Sequence, residues 1–179
     1  PNPYPMMRLT ARNSAGAKLA QTDVVLPVSG EMDCRACHAS GAGAAARPAA
    51  GWANDPDEKR DFRLNILRLH DEKQGSKPVY AGALAASHYS PDGLAATATG
   101  GTAILCASCH ASEALGTSGY PGVPPLTRSI HSLHAGVVAP SNGLTLENSS
   151  NRSACYQCHP GSATRCLRGA MGAAVASDG

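Results

Sequence analysis

The chain has 179 residues and a formal net charge of +2, with 42% hydrophobic residues but only 4% aromatic ones. One Phe and one Trp cannot fill a conventional core at this length, and near-neutral charge favours neither nucleic acid nor an anionic membrane surface as a partner. No apolar run approaches the roughly 18 residues of a membrane span, so no transmembrane segment is expected.

Residues 1–30 read as a β-hairpin. Met7, Leu9 and Ala11 alternate with Arg8, Thr10 and Arg12, Asn13-Ser-Ala-Gly16 supplies a turn, and Leu19 to Leu26 is β-prone up to Pro27. A lone hairpin is marginal in water, so it should pack on a neighbouring subunit, a missing N-terminal sheet or the rest of the chain; the plain alternative is a flexible tail.

Next comes Cys34-Arg-Ala-Cys37-His38, which recurs as Cys106-Ala-Ser-Cys109-His110 and Cys155-Tyr-Gln-Cys158-His159. Three copies use six of the seven cysteines and three of the seven histidines, where chance would supply roughly 0.01 copies. Cys-x-x-Cys-His is the attachment sequence for c-type haem: both thiols form thioethers with the porphyrin and the histidine becomes an axial iron ligand. A Cys-x-x-Cys pair also serves zinc or dithiol redox chemistry, but zinc has no need of a histidine directly after each pair. Three covalent haem c groups are therefore expected, and they would replace the missing core. The apoprotein should then be largely unfolded.

Gly41 to Gly51 lacks periodicity and reads as a loop. Asp55-Pro56-Asp57-Glu58 reads as a helix start, with Asp55 as N-cap and Pro56 at the first helical position, and the helix should run to about Lys73. Phe62, Ile66, Leu69 and His70 share a face on it, which makes His70 either a core residue or a distal haem ligand. Tyr80 to His88 is a possible short helix stopped by Ser90-Pro91-Asp92-Gly93; His88 is a further ligand candidate, or simply a cation at a helix C-terminus.

After the Gly/Pro-rich crossing 116–125, Ser129-Ile-His131-Ser-Leu-His134-Ala places two histidines one turn apart on a short helix. Irons ligated by His131 and His134 would have to lie close together, so this segment is expected to join one haem to the next. Residues 140–151 are turn-rich, and Asn148-Ser149-Ser150 matches a glycosylation acceptor that has little weight in a bacterial-looking chain. Cys166 is left over, pointing to a partner outside the chain or to a buried thiol. The small-residue tail beyond Met171 suggests a fragment of something longer.

Four histidines, His70, His88, His131 and His134, remain for three distal positions. The surplus argues against an open iron and fits six-coordinate, low-potential sites with one histidine lent to a haem beyond the chain. Met6, Met7, Met32 and Met171 are alternative ligands without persuasive placement.

The three motifs, the segment with paired histidines and the wide irregular spacers resemble multihaem c-type cytochromes of bacterial periplasmic or extracellular electron transfer, some of which polymerise into haem-stacked filaments. The resemblance covers residues 31–160. It implies a fold of mostly irregular chain with short α-helices packed on haems, here with the N-terminal β-hairpin added, and a division into residues 1–30 and a trihaem domain 31–179. It gives the proximal role to His38, His110 and His159, the thioether role to Cys34, Cys37, Cys106, Cys109, Cys155 and Cys158, and the distal role to histidines such as the four above. It further implies other cytochromes or copies of the chain as partners, a mineral or metal as a terminal acceptor, and a location in the periplasm or outside the cell. Haem attachment of this kind takes place outside the bacterial cytoplasm, so a signal or upstream region is expected to have been removed or to lie outside the chain. Electron transfer without substrate chemistry is the leading expectation. The alternatives are a multihaem reductase of nitrogen or sulfur oxyanions or of metals with one open iron, and a structural use of haem in an adhesin or filament.

Overall fold

The structure, a computed structural model, describes residues 6–25, 33–113, 115–139, 142–151 and 154–158. The chain forms two compact units, one of residues 34–145 and one of residues 1–33 with 146–179. The first two Cys-x-x-Cys-His motifs share the former; Cys155 and Cys158 fall in the unit that contains the hairpin.

In that second unit, β1 (Met6–Arg12) pairs antiparallel with β2 (Lys18–Val25), from Met6 opposite Val25 to Arg12 opposite Lys18. The turn forms because the Asn13 side-chain oxygen accepts from the N–H groups of Ala15 and Ala17 at 3.0 and 2.9 Å, while Gly16 takes φ +81°. Leu9 and Leu19 stay exposed. The short helix α6 (Ala154–Cys158) completes the described part, and its Cys158 carbonyl accepts from the Asp33 N–H at 2.9 Å.

The 34–145 unit is built on five helices: α1 (Arg35–His38), α2 (Glu58–Gln74), α3 (Pro78–Ala86), α4 (Leu94–Thr99) and α5 (Leu126–His134). Its buried apolar side chains are small or few: Ala46, Leu64, Ala83, Leu84, Leu94, Ala107 and Ala139. The interior is pinned by polar side chains instead. Asp61, 6% exposed, accepts from the Ser40 N–H at 2.7 Å, the Ser40 hydroxyl at 2.6 Å and the Asp55 N–H at 2.9 Å. Asn65, wholly buried, donates to the His38 carbonyl at 2.9 Å and accepts from the Ala53 N–H at 2.7 Å.

Helix α2 starts later than its sequence suggests. Asp57 is the N-cap, with its carboxylate accepting from the Lys59 N–H at 2.8 Å, because Asp55 is engaged in a turn that takes the Asp57 N–H at 3.0 Å. Its most buried side chains are Asp61, Leu64 and Asn65, and the expected apolar face of Phe62, Ile66, Leu69 and His70 is half-buried. Helix α3 begins earlier, with Pro78 at its first position, and ends before His88. There His88 takes φ +57° as the N–H groups of His88 and Tyr89 close onto the Ala85 and Leu84 carbonyls at 3.1 and 2.9 Å, a Schellman stop. Helix α4 has no cap of its own. Asp71 of α2 accepts from the Leu94 and Ala95 N–H groups, both at 2.9 Å, and from the Tyr80 hydroxyl. Among the described residues, no helix is long and apolar enough to cross a membrane.

Candidate functional site

The two described motifs with complete side chains close with the same hydrogen bond, the first opening the helix α1 and the second a 3-10 turn over Cys106–Ser108. In the first, the His38 N–H closes onto the Cys34 carbonyl at 2.9 Å; in the second, the His110 N–H closes onto the Cys106 carbonyl at the same 2.9 Å. Each is a single tight turn that puts two thiols and an imidazole on a short stretch of backbone. Cys34, Cys37, Cys106, Cys109 and Cys158 are not joined in disulfides, and Cys37 and Cys106 are exposed. Cys109 is held by the Ser87 hydroxyl at 3.2 Å.

Each of these motif histidines faces an imidazole from a distant helix. His38 meets His134, at the end of α5, with ring centroids 6.2 Å apart and planes at 78°. His110 meets His70, from α2, again at 6.2 Å, with planes at 89°. Two imidazoles bound on opposite sides of one ion, with metal–nitrogen bonds of about 2.0 Å and about 1.1 Å from nitrogen to ring centre, would have centroids roughly 6.2 Å apart. Edge-to-face packing of rings also spans this distance. Ligation is favoured because both contacts join a motif histidine to a non-motif one, and because of what the remaining ring nitrogens do.

In each pair, one imidazole has its Nδ1 taken by a backbone carbonyl. His134 Nδ1 donates to the Ile130 carbonyl at 2.7 Å, and His110 Nδ1 donates to the Pro124 carbonyl at 2.7 Å. That fixes the tautomer and leaves Nε2 unprotonated and available to a metal. The facing imidazoles, His38 and His70, have buried Nδ1 atoms with no hydrogen-bond partner among the described residues, orphaned polar atoms that leave room for a group the chain itself does not supply. Burial, reinforced by His134, pushes His38 down to about 4. Burial also lowers His70, with His110 and Lys77 adding to it and Asp71 opposing. Both rings are therefore neutral at neutral pH, the form that binds metal.

Among the described residues, no three His, Cys, Asp or Glu side chains converge as a protein-only metal cage would need. Paired imidazoles beside paired thiols suit haem, whose porphyrin supplies four iron ligands and leaves two axial positions. The residues present fit that group at both motifs.

The other candidates are placed less completely. His131, one turn before His134, is exposed and its Nδ1 donates to the Thr127 carbonyl at 2.8 Å, the same tautomer-fixing bond that His134 makes. His88 is exposed at the stop of α3. Met32, His159, Cys166 and Met171 lie outside the described residues, as do the side chains of Met6, Met7 and Cys155. Asn148 is exposed, and its side chain accepts from the Ser150 N–H at 2.9 Å.

Sequence reasoning missed the residues behind the ligands. Asn65, on the His38 carbonyl, and Ser129, whose hydroxyl lies 3.3 Å from His110 Nδ1, have no signature beyond being polar residues within helices. Comparison with protein-family models, curated proteins and solved structures returns no match.

Proposed function

We propose that the chain is a trihaem c-type cytochrome that carries electrons between covalently bound, bis-histidine haems. The observation that carries this reading is the pairing of each described motif histidine with a second imidazole at 6.2 Å. Cys34, Cys37, His38 and His134 would hold one haem, and Cys106, Cys109, His110 and His70 a second. Cys155, Cys158 and His159 would hold the third, and His131 and His88 remain as the other distal candidates that the sequence offers, one of them to be lent to a haem of another chain.

Bound haem supplies reversible one-electron chemistry at its iron. The chain's part would be to offer each of these haems two neutral imidazoles, one from the motif and one from α5 or α2, and to fix the His134 and His110 rings through the Ile130 and Pro124 carbonyls. With an imidazole offered from each side, a haem held here would have no open position for a substrate, which favours electron carriage over a reductase. Partners in this reading are other cytochromes or copies of the chain, with a metal or mineral as terminal acceptor. The location is the periplasm or the cell exterior, since covalent haem attachment takes place there.

Mass spectrometry of protein produced with a cytochrome c maturation system tests the reading, with three added haem masses expected. The ferric protein should be low-spin throughout, and carbon monoxide should leave the ferrous spectrum unchanged. Fewer than three haems would overturn the stoichiometry, and a high-spin iron in the parent protein would overturn the bis-histidine assignment.

A further inference from the structure

We propose that Ser129 is a positioning residue for His110, which sets the ring orientation and redox potential of the second site apart from those of the first. The inference rests on the haem reading above. It starts from an unlike arrangement behind two otherwise similar imidazole pairs. In the His38–His134 pair, the hydrogen-bonded ring is held by one oxygen, the Ile130 carbonyl of its own helix. In the His70–His110 pair, the hydrogen-bonded ring is instead the motif histidine, and it faces two oxygens: the Pro124 carbonyl at 2.7 Å and the Ser129 hydroxyl at 3.3 Å.

Ser129 departs from what a serine inside a helix usually does. Such a side chain ordinarily bonds the carbonyl four residues back, as Ser132 does on the same helix with Arg128 at 2.7 Å. Ser129 instead reaches the Pro124 carbonyl at 3.3 Å, which brings its oxygen against His110. Imidazole, carbonyl and hydroxyl form a triangle whose corners come from three places: the second motif, the crossing before α5, and α5 itself. Rotation of the His110 ring would break one or both of its oxygen contacts, so the ring is kept nearly perpendicular to His70, at 89°. The hydrogen bond at the nitrogen away from the metal also governs how much negative charge the ligating nitrogen offers, and hence the balance between ferric and ferrous iron.

The test uses the haem-loaded chain and the variants Ser129→Ala and Ser129→Thr, read by electron paramagnetic resonance and by potentiometric titration. Low-spin signals are assigned by which one turns high-spin in His70→Ala and in His134→Ala. Ser129→Ala is expected to keep three covalent haems and low-spin iron but to move one signal, that of the His70 site, toward lower anisotropy and to shift its midpoint potential. The threonine variant, which keeps the hydroxyl, should hold the parental values. Parental signals and potentials in Ser129→Ala, or a shift confined to the His134 site, would overturn the inference while leaving the haem reading intact. A parent chain without covalent haem would overturn both.

Discussion

Replacing Asp61 with asparagine isolates the polar pin that holds the first motif to α2. The carboxylate is 6% exposed and accepts four bonds, from the Ser40 N–H at 2.7 Å, the Ser40 hydroxyl at 2.6 Å, the Asp55 N–H at 2.9 Å and the Asn65 side-chain amide at 3.4 Å. An amide of the same size keeps one acceptor oxygen and turns the other position into a donor. Whichever way it sits, either the Ser40 or the Asp55 N–H faces an N–H₂ group, and a buried donor left without its acceptor costs about 1–3 kcal/mol. Loss of charge from the remaining bonds adds about 1 kcal/mol, since charge-assisted bonds are roughly twice as strong as neutral ones. Asp61→Asn should therefore lower stability by about 2–4 kcal/mol at pH 7, read by urea unfolding of the haem-loaded chain followed by far-ultraviolet circular dichroism. The sign with pH is set by the same contacts. Burial works to raise the Asp61 carboxyl, but the Ser40 hydroxyl and the N–H groups of Ser40, Asp55 and Asn54 outweigh it and hold the group below its ordinary value. The folded state thus binds fewer protons than the unfolded one near the acid end, and this stability is present above about pH 4 and lost as pH falls further. The gap between parent and Asp61→Asn should narrow below that pH. A variant within 0.5 kcal/mol of the parent at pH 7, or a gap that does not change on acidification, would refute the reasoning.

His134→Ala and His70→Ala should each convert one low-spin iron to high-spin, at the first and second sites respectively. His131→Ala should leave those two sites low-spin, because the structure sets His134 and not His131 against His38; a high-spin first site in His131→Ala would reverse that assignment. With ring planes at 78° and 89°, both sites should give the highly anisotropic low-spin resonance of near-perpendicular axial imidazoles, and rhombic signals from both would contradict the ring geometry. Gly119→Ala should destabilise by about 2–5 kcal/mol and cut haem attachment at Cys106 and Cys109, seen by thermal melting and by mass. Gly119 sits at φ +68°, and a Cβ there would lie 2.3 Å from the Ala111 nitrogen and 2.7 Å from the His110 carbonyl carbon.

What could be read from the sequence is what is made locally. The motif turn closes from the first cysteine to the N–H four residues on, so Cys34 to His38 and Cys106 to His110 share that closing bond although they lie in different parts of the chain. The alternation of residues 6–12 and the Asn13–Gly16 turn give the hairpin, and the spacing of His131 and His134 gives α5. Helix α4 was not legible, because its cap comes from Asp71, 23 residues earlier. The start of α2 was misplaced by two residues, since Asp55 and Asp57 are both good caps and only tertiary contacts decide between them: the Asp55 N–H is taken by Asp61. The buried face of α2 escaped the apolar pattern because what it buries there is chiefly Asp61 and Asn65, polar groups whose partners lie in the loop after the first motif.

The pairing of imidazoles was hidden for a related reason. Helix α2 carries Asn65, which holds the backbone of His38, and one turn and a half later His70, which faces His110. Helix α5 carries Ser129, which touches His110, and then His134, which faces His38. Each helix thus supports an imidazole of one pair and supplies an imidazole to the other. Read segment by segment, a histidine on a helix points to the nearest motif, but here the imidazole and its support are exchanged between helices. That exchange makes the two pairs one structural object, because neither helix can be moved to alter one pair without straining the other. In a chain with so few large side chains, this crosswise bracing by Asn65 and Ser129 takes over part of the positional work that aromatic packing does in an ordinary core.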